Sequence, residues 1–224
     1  VSFPERIATD GSCAVTSGIL ENMQIAARPS RLSDKSDGRA AAWMEEKLIE
    51  VLWHGRGGQG AFTASRLLGA AWCMEEGRHA LAFPSFGPER RGAPMCAYTK
   101  LANAPIGDRS ELARADFVVY LDDTLVGGDW EAELKPNGRA LVNTVRHFDD
   151  ARVVTVDADG ISSAILGRAI PNTALLGALC ALVDGLTRDD MAQSIQGYMP
   201  QKLVARNIDV VDAVLESWGQ GVRL

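Results

Sequence analysis

The chain has 224 residues, 46% of them apolar and 23% charged, and a formal net charge of −6. That length buries one sizeable core with little left for a second domain, and the negative balance excludes a role that rests on neutralising many nucleic-acid phosphates. No stretch approaches the roughly 20 consecutive apolar residues of a membrane span, and the start lacks a basic region followed by an apolar run, so a cytoplasmic protein is expected.

Residues 1–44 form a segment apart, in which polar clusters such as Arg31 to Gly38 alternate with small apolar groups. This composition predicts an extended N-terminal arm, and residues 45–224 the folded domain. Within the arm, Val15, Ile19 and Met23 recur at four-residue spacing after Thr16 and Ser17, the pattern of one short amphipathic helix. So short a helix is marginal alone, which leaves two destinations for the arm: a partner subunit or the surface of its own domain.

From Leu48 short apolar runs alternate with helical periodicity. Leu48 to Trp53 predicts a strand, and Ala61 to Glu76 a helix with Ala64, Leu67, Leu68, Ala71 and Trp72 on one side. His79 to Phe83 and Pro94 to Thr99 predict strands on either side of a loop rich in Gly, Pro and Arg. Phe117 to Leu121 is a continuous apolar run, as in a strand buried on both faces. Arg139 to Asn143 and Val153 to Val156 continue the series. Thr173 to Leu186, Arg188 to Gln196 and Val204 to Trp218 then carry helical spacing. The expected fold is α/β: a Rossmann-like open, mostly parallel sheet with helices on both faces, plus the arm.

Directly after the first strand of this series, Gly55, Gly57 and Gly60 fit G-x-G-x-x-G, with Arg56, Gly58 and Gln59 between them. A strand before and a helix after make this a phosphate cradle, in which glycines allow the turn and backbone N–H groups face an anion. A dinucleotide site places an acidic residue at the end of the second strand. Here that end reads Phe83-Pro84-Ser85, and Glu75 and Glu76 fall at the end of the helix, away from the ligand edge. After Ser85 the chain enters a glycine-bounded loop with Arg90 and Arg91, whose guanidinium groups suit phosphate oxygens. A ligand with several phosphates and no need of a ribose carboxylate is implied, and coenzyme A fits.

The glycine loop, followed at this distance by the run from Phe83 to Pro94, closely resembles the gamma subunits and gamma domains of the pyruvate (2-oxoacid):ferredoxin oxidoreductase family. Pro105-Ile106, Pro171-Asn172-Thr173, Leu176-Gly177-Ala178, Lys202 and Asn207 extend the likeness over about Leu48 to Gly219. The resemblance implies a gamma subunit in a hetero-oligomer with alpha, beta and delta subunits, which hold thiamine diphosphate, Mg and 4Fe-4S clusters. Such a complex decarboxylates a 2-oxoacid oxidatively to acyl-CoA and CO2 and passes electrons to ferredoxin or NAD. Selection among pyruvate, 2-oxoglutarate and branched or aromatic oxoacids such as phenylglyoxylate would rest largely with the thiamine-binding subunits. Carried over residue by residue, Gly55, Gly57, Gly58, Gln59 and Gly60 would contact coenzyme A, with Ser85, Arg90 and Arg91 facing its phosphates or the active site. Asn172 either faces the ligand edge or caps a helix.

Two other readings stand beside this one: a stand-alone NAD(P)- or flavin-binding oxidoreductase, and a purely structural subunit. Cys13, Cys73, Cys96 and Cys180 lie far apart with no C-x-x-C pair, so their spacing offers neither an iron–sulfur nor a zinc site. His54, His79 and His147 have no carboxylate or cysteine near them in sequence that would make a dyad, and all three are expected to be structural rather than catalytic. Asp122-Asp123 is expected to cap a short helix. Arg56 points to phosphate or to a neighbouring subunit. Trp53, Trp72, Trp130 and Trp218 are expected in the core or an interface.

Overall fold

The structure is a computed structural model that describes residues 48–85 and 91–219, together with the backbone of Met23–Ala26. Its strands are β1 (Met23–Ala26), β2 (Leu48–Arg56), β3 (His79–Pro84), β4 (Pro94–Ala102), β5 (Ala115–Tyr120), β6 (Leu134–Asn143) and β7 (Val153–Val156). The helices are α1 (Ala61–Trp72), α2 (Ala158–Leu166), α3 (Asn172–Leu182), α4 (Arg188–Tyr198) and α5 (Gln201–Gly219). Among the described residues the strands form one sheet in the order β1-β3-β4-β2-β5-β6-β7.

The apolar runs pair as continuous buried strands do. β2 is central, parallel to β5 through Trp53↔Val119 and its neighbours, and β6 and β7 extend the parallel side. On its other edge β2 pairs with β4 in antiparallel register from Leu48↔Ala102 to Arg56↔Pro94. β3 is antiparallel to β4, and therefore runs with β2. The helix between β2 and β3 is a crossover, as expected, but β4 has slotted between the two strands it joins. With β1 antiparallel to β3, the sheet is mostly parallel and its antiparallel members are β4 and β1.

Alternation along the strands separates two cores. Val51, Trp53, Leu101, Val119, Leu121 and Leu141 point to a face on which all five α-helices pack. Leu52, Leu81, Phe83, Tyr98, Val118 and Tyr120 point to the opposite face. There the cover is thinner: two short 3-10 helices, Asp123–Leu125 and Trp130–Glu133, and the loops around Ile106, Leu112 and Phe148. Helices thus lie on both faces, but the long ones share one.

α3 carries apolar residues on every side because it lies within this layer, buried from Asn172 to Cys180. Gly177 lets α5 approach it closely, since a Cβ there would stand 3.1 Å from Val214 Cβ and 3.3 Å from the Val211 backbone. α4 is tied to α1 by the Ser194 hydroxyl, which donates to Leu67 O at 2.7 Å. Trp53 and Trp72 are buried, and their indole N–H groups donate to Thr99 Oγ1 and Ala102 O. Trp130 and Trp218 pack on the two cores from outside.

Three expectations need amendment. α1 ends at Trp72, so Glu75 and Glu76 lie in the turn after it. α2 has no counterpart in the periodicity, although Asp157 caps it by accepting from Gly160 N–H at 2.8 Å and Gly167 ends it at φ +75°. Met23, expected in a helix of the arm, begins a strand that pairs with β3; Val15 and Ile19 lie outside the described residues.

Candidate functional site

β2 keeps its pairing through Gly55 and Arg56 and then releases the chain into the glycine loop at the carboxyl edge of the sheet, the edge where open α/β sheets take ligands. Gly58 and Gly60 adopt φ +102° and +87°, conformations that side chains with a Cβ rarely accept. Gly60 is also the residue that caps α1, and no side chain completes the cap. The loop presents the helix start through backbone alone.

The loop is held from three sides. Gly57 N–H donates to Ala93 O at 2.9 Å, and Gly92 N–H donates back to Gly57 O at 3.0 Å. This pairing sets Arg91 directly beside Gly57 with its side chain exposed. Gln59 folds inward: its Oε1 accepts the Arg56 N–H at 2.6 Å, and its Nε2 reaches Asp122 Oδ2 at 3.4 Å. On the third side Asn172 lies against Gly60, where a Cβ would stand 2.6 Å from its Nδ2.

Arg56 reaches to the loop after β5 and to Gly92. Its Nε donates to Asp122 Oδ2 at 2.8 Å, and its terminal nitrogens donate to Thr124 Oγ1 at 2.8 Å and Gly92 O at 3.4 Å. Asp122 meanwhile caps the short helix Asp123–Leu125 through Thr124 N–H, as its sequence suggests. Burial works against the Asp122 charge, but bonds from Thr124 and Arg56 outweigh it and hold its pKa below the usual carboxylate range. Asp123 accepts from Thr144 Oγ1 and Arg146. Among the described residues, no three His, Cys, Asp or Glu side chains stand together in a way that could hold a metal ion.

Ser85 continues the β3–β4 ladder, its N–H donating to Cys96 O at 2.9 Å and its hydroxyl accepting from Cys96 N–H at 3.4 Å. Arg90 lies outside the described residues. Asn172 is the first residue of α3 and not its cap, which is Pro171; its Oδ1 accepts from Thr173 N–H at 2.9 Å. Its side chain joins the glycine loop to a cleft of about 320 Å³ lined by Thr63, Arg168, Asn172, Lys202, Arg206 and Asn207. Arg168, Lys202 and Arg206 are exposed there, giving the cleft a cationic rim next to the first turn of α1. The two arginines of the rim escaped sequence reasoning, because the segment after α2 and helix α5 bring them together only in the fold.

His54 gains in the fold contacts that the sequence does not show. β4 and the helix Trp130–Glu133 deliver to it both of the partners that its sequence neighbourhood lacks: Cys96 Sγ at 3.4 Å from Nδ1 and Glu133 Oε2 at 3.0 Å from Nε2.

A glycine loop between the central strand and first helix of an open sheet, braced from three sides, defines a Rossmann-like α/β module. The family described as pyruvate ferredoxin/flavodoxin oxidoreductase matches residues 50–217. Pyruvate synthase subunit PorC of Methanothermobacter marburgensis is 40% identical over 172 residues, which is 75% of this chain and 97% of that one. The common gamma subunit of the pyruvate/ketoisovalerate oxidoreductases of Thermococcus kodakarensis is 41% identical over 156 residues, 65% of this chain and 83% of its own. The crystal structure of the pyruvate oxidoreductase subunit PORC of Thermotoga maritima superposes with a TM-score of 0.65 at 34% identity, covering 76% of this chain and 96% of that one. The chain belongs to the pyruvate ferredoxin/flavodoxin oxidoreductase family, as a gamma-type subunit of a multi-subunit 2-oxoacid oxidoreductase.

Proposed function

We propose that this subunit binds the nucleotide end of coenzyme A at the glycine loop and positions the coenzyme for a complex that converts a 2-oxoacid to acyl-CoA and CO2. Thiamine diphosphate, Mg and 4Fe-4S clusters in alpha, beta and delta partners would supply the decarboxylation and electron transfer, with ferredoxin or NAD as acceptor. The observation that carries the reading is the start of α1: a helix dipole with no side-chain cap, behind two glycines at positive φ, with Arg91 held beside it. Such an arrangement suits a phosphate group.

The residues divide the work. Gly57, Gly58 and Gly60 let backbone N–H groups approach the anion, and Gln59, Arg56 and Asp122 keep that backbone in shape. Gly55 lets α1 close on β2, where a Cβ would stand 3.1 Å from Ala61 Cβ. Arg91 and Arg90, with Ser85, would face further phosphate oxygens, and Asn172 would border the ligand. No acidic residue stands directly after Phe83 to receive a ribose, which favours coenzyme A over NAD. Holding the nucleotide end converts attack by the thiol into a positioned step.

Arg91→Ala in the assembled complex, assayed with pyruvate and with ketoisovalerate, tests the reading. The KM for coenzyme A should rise about tenfold, the loss of roughly one charge-assisted contact, while iron and thiamine content stay as in the parent. An unchanged KM refutes it.

A further inference from the structure

A second cluster of reactive side chains lies on the underside of β2. His54, one residue before Gly55, projects to the face opposite α1, where the cover is thin. Its ring stacks on that of Tyr120, with centroids 4.8 Å apart and planes 9° from parallel. Glu133 Oε2 accepts from the Tyr120 hydroxyl at 2.6 Å and lies 3.0 Å from His54 Nε2. Stacking and the carboxylate together fix the ring and place a proton on Nε2. Nδ1 then faces the Cys96 sulfur, 3.4 Å away.

A thiol, an imidazolium whose charge favours the thiolate, and a carboxylate that orients the ring make up an arrangement that activates cysteine nucleophiles. Burial opposes charge on His54, yet the hydrogen bonds to Cys96 and Glu133 and their charges outweigh it and raise its pKa to about 9. Burial works against the Glu133 charge as well, but the bonds from His54 and Tyr120 and the charge of His54 outweigh it and hold its pKa below the usual carboxylate range. Among the described residues, Tyr98 on β4, with Glu111 beside it, and Asp129 near Tyr120 also stand around the cluster. Cys96 is partly exposed, whereas Cys73 and Cys180 are buried.

We propose that Cys96 is an activated thiol, with the His54 imidazolium beside it and Glu133 as the group that orients the ring, and that it undergoes exchange with low-molecular-weight disulfides. The Cys96 proton leaves to solvent, and the thiolate that remains stands against His54 Nδ1. The thiolate attacks one sulfur of RS–SR, the Cys96 S–SR bond forms as the RS–SR bond breaks, and the departing RS⁻ takes a proton from solvent. Cys96 is oxidised to a mixed disulfide, and one half of the reagent is reduced to its thiol. The site stands on the other side of β2 from α1 and does not depend on where coenzyme A binds.

The test uses the full chain, glutathione disulfide as the probe, and peptide mapping of the adducts. Cys96 should be modified at pH 7 at least tenfold faster than Cys73 or Cys180. His54→Gln should cut the neutral rate about tenfold, and Glu133→Gln should do the same to a smaller degree. Should His54→Gln fail to fold, the rates of the unmodified chain and of the Glu133→Gln variant carry the decision. Cys96 reacting no faster than the buried thiols, or a neutral rate that survives Glu133→Gln and His54→Gln unchanged, overturns the proposal.

Discussion

Asn172 occupies the space that a side chain on Gly60 would need: its Nδ2 is 2.6 Å from where a Cβ at Gly60 would stand. Two independent constraints thus meet at one glycine, the contact and the φ of +87°. Gly60→Ala should lower stability by about 2–3 kcal/mol, combining a left-handed penalty with displacement of a packed amide. Adding Asn172→Ala should recover the contact part and leave roughly 1 kcal/mol of backbone strain. Thermal or urea unfolding of the two single variants and the double variant measures both; additive losses would show that Asn172 yields freely.

Arg56 and Asp122 join the glycine loop to the loop after β5, and Asp122 also serves Gln59 and Thr124. Asp122→Ala removes all of these acceptors at once and should cost about 1–2 kcal/mol, more than Arg56→Ala at about 1 kcal/mol, because the arginine is one-third exposed. In the assembled complex both should weaken apparent affinity for coenzyme A without lowering cluster content. A crossing of the two in unfolding experiments, with Arg56→Ala the costlier, would contradict this hierarchy.

Lys100 has a fully buried side chain, with Nζ 2.6 Å from Asp108 Oδ2 and 3.8 Å from Glu50 Oε1, and Glu50 Oε2 also holds Lys135 at 2.9 Å. Lys100→Met replaces a buried charge by an apolar side chain of similar length and should change stability by no more than about 1 kcal/mol. Glu50→Ala leaves Lys100 with fewer compensating charges and should cost about 3 kcal/mol. Chemical denaturation of both variants at neutral pH gives the comparison.

His54 carries its proton in the folded chain up to about pH 9, against 6.5 when unperturbed, because bonds to Cys96 and Glu133 overcome the effect of burial. A raised folded pKa gives stability that is fully present below pH 6.5 and lost as pH rises through 9. The gap between the parent chain and His54→Gln should therefore be widest near pH 6, on the order of 1–3 kcal/mol, and narrow progressively toward about pH 10. Melting temperatures of the pair across that range read the slope; a gap that widens with pH would reverse the assignment.

The strands from β2 to β7 lie where their apolar runs place them, because a strand buried on both faces requires such a run wherever it pairs. α2 escaped notice since its apolar residues are few, with Ile161 and Ile165 only partly buried against the core; its capping aspartate and terminal glycine were the available signals. Asp122 was legible as a cap from Asp-Asp-Thr, but its grip on Arg56 was not, since 66 residues separate them.

The glycine loop is set by the sequence itself, because positive φ and an open helix start depend on residue types within a few positions of one another. The long motif around Ser85 that carries the family resemblance is likewise read from residue types and spacing alone. Tertiary structure alone decided that β4 enters between β2 and β3, and with it which side chains meet across the strands. Cys96 stands 42 residues from His54 and Glu133 stands 79 residues from it. Periodicity and turn chemistry report only local preference, whereas these contacts arise from sheet closure. A histidine that looks isolated along the chain therefore acquires a thiol and a carboxylate only when the strands are assembled.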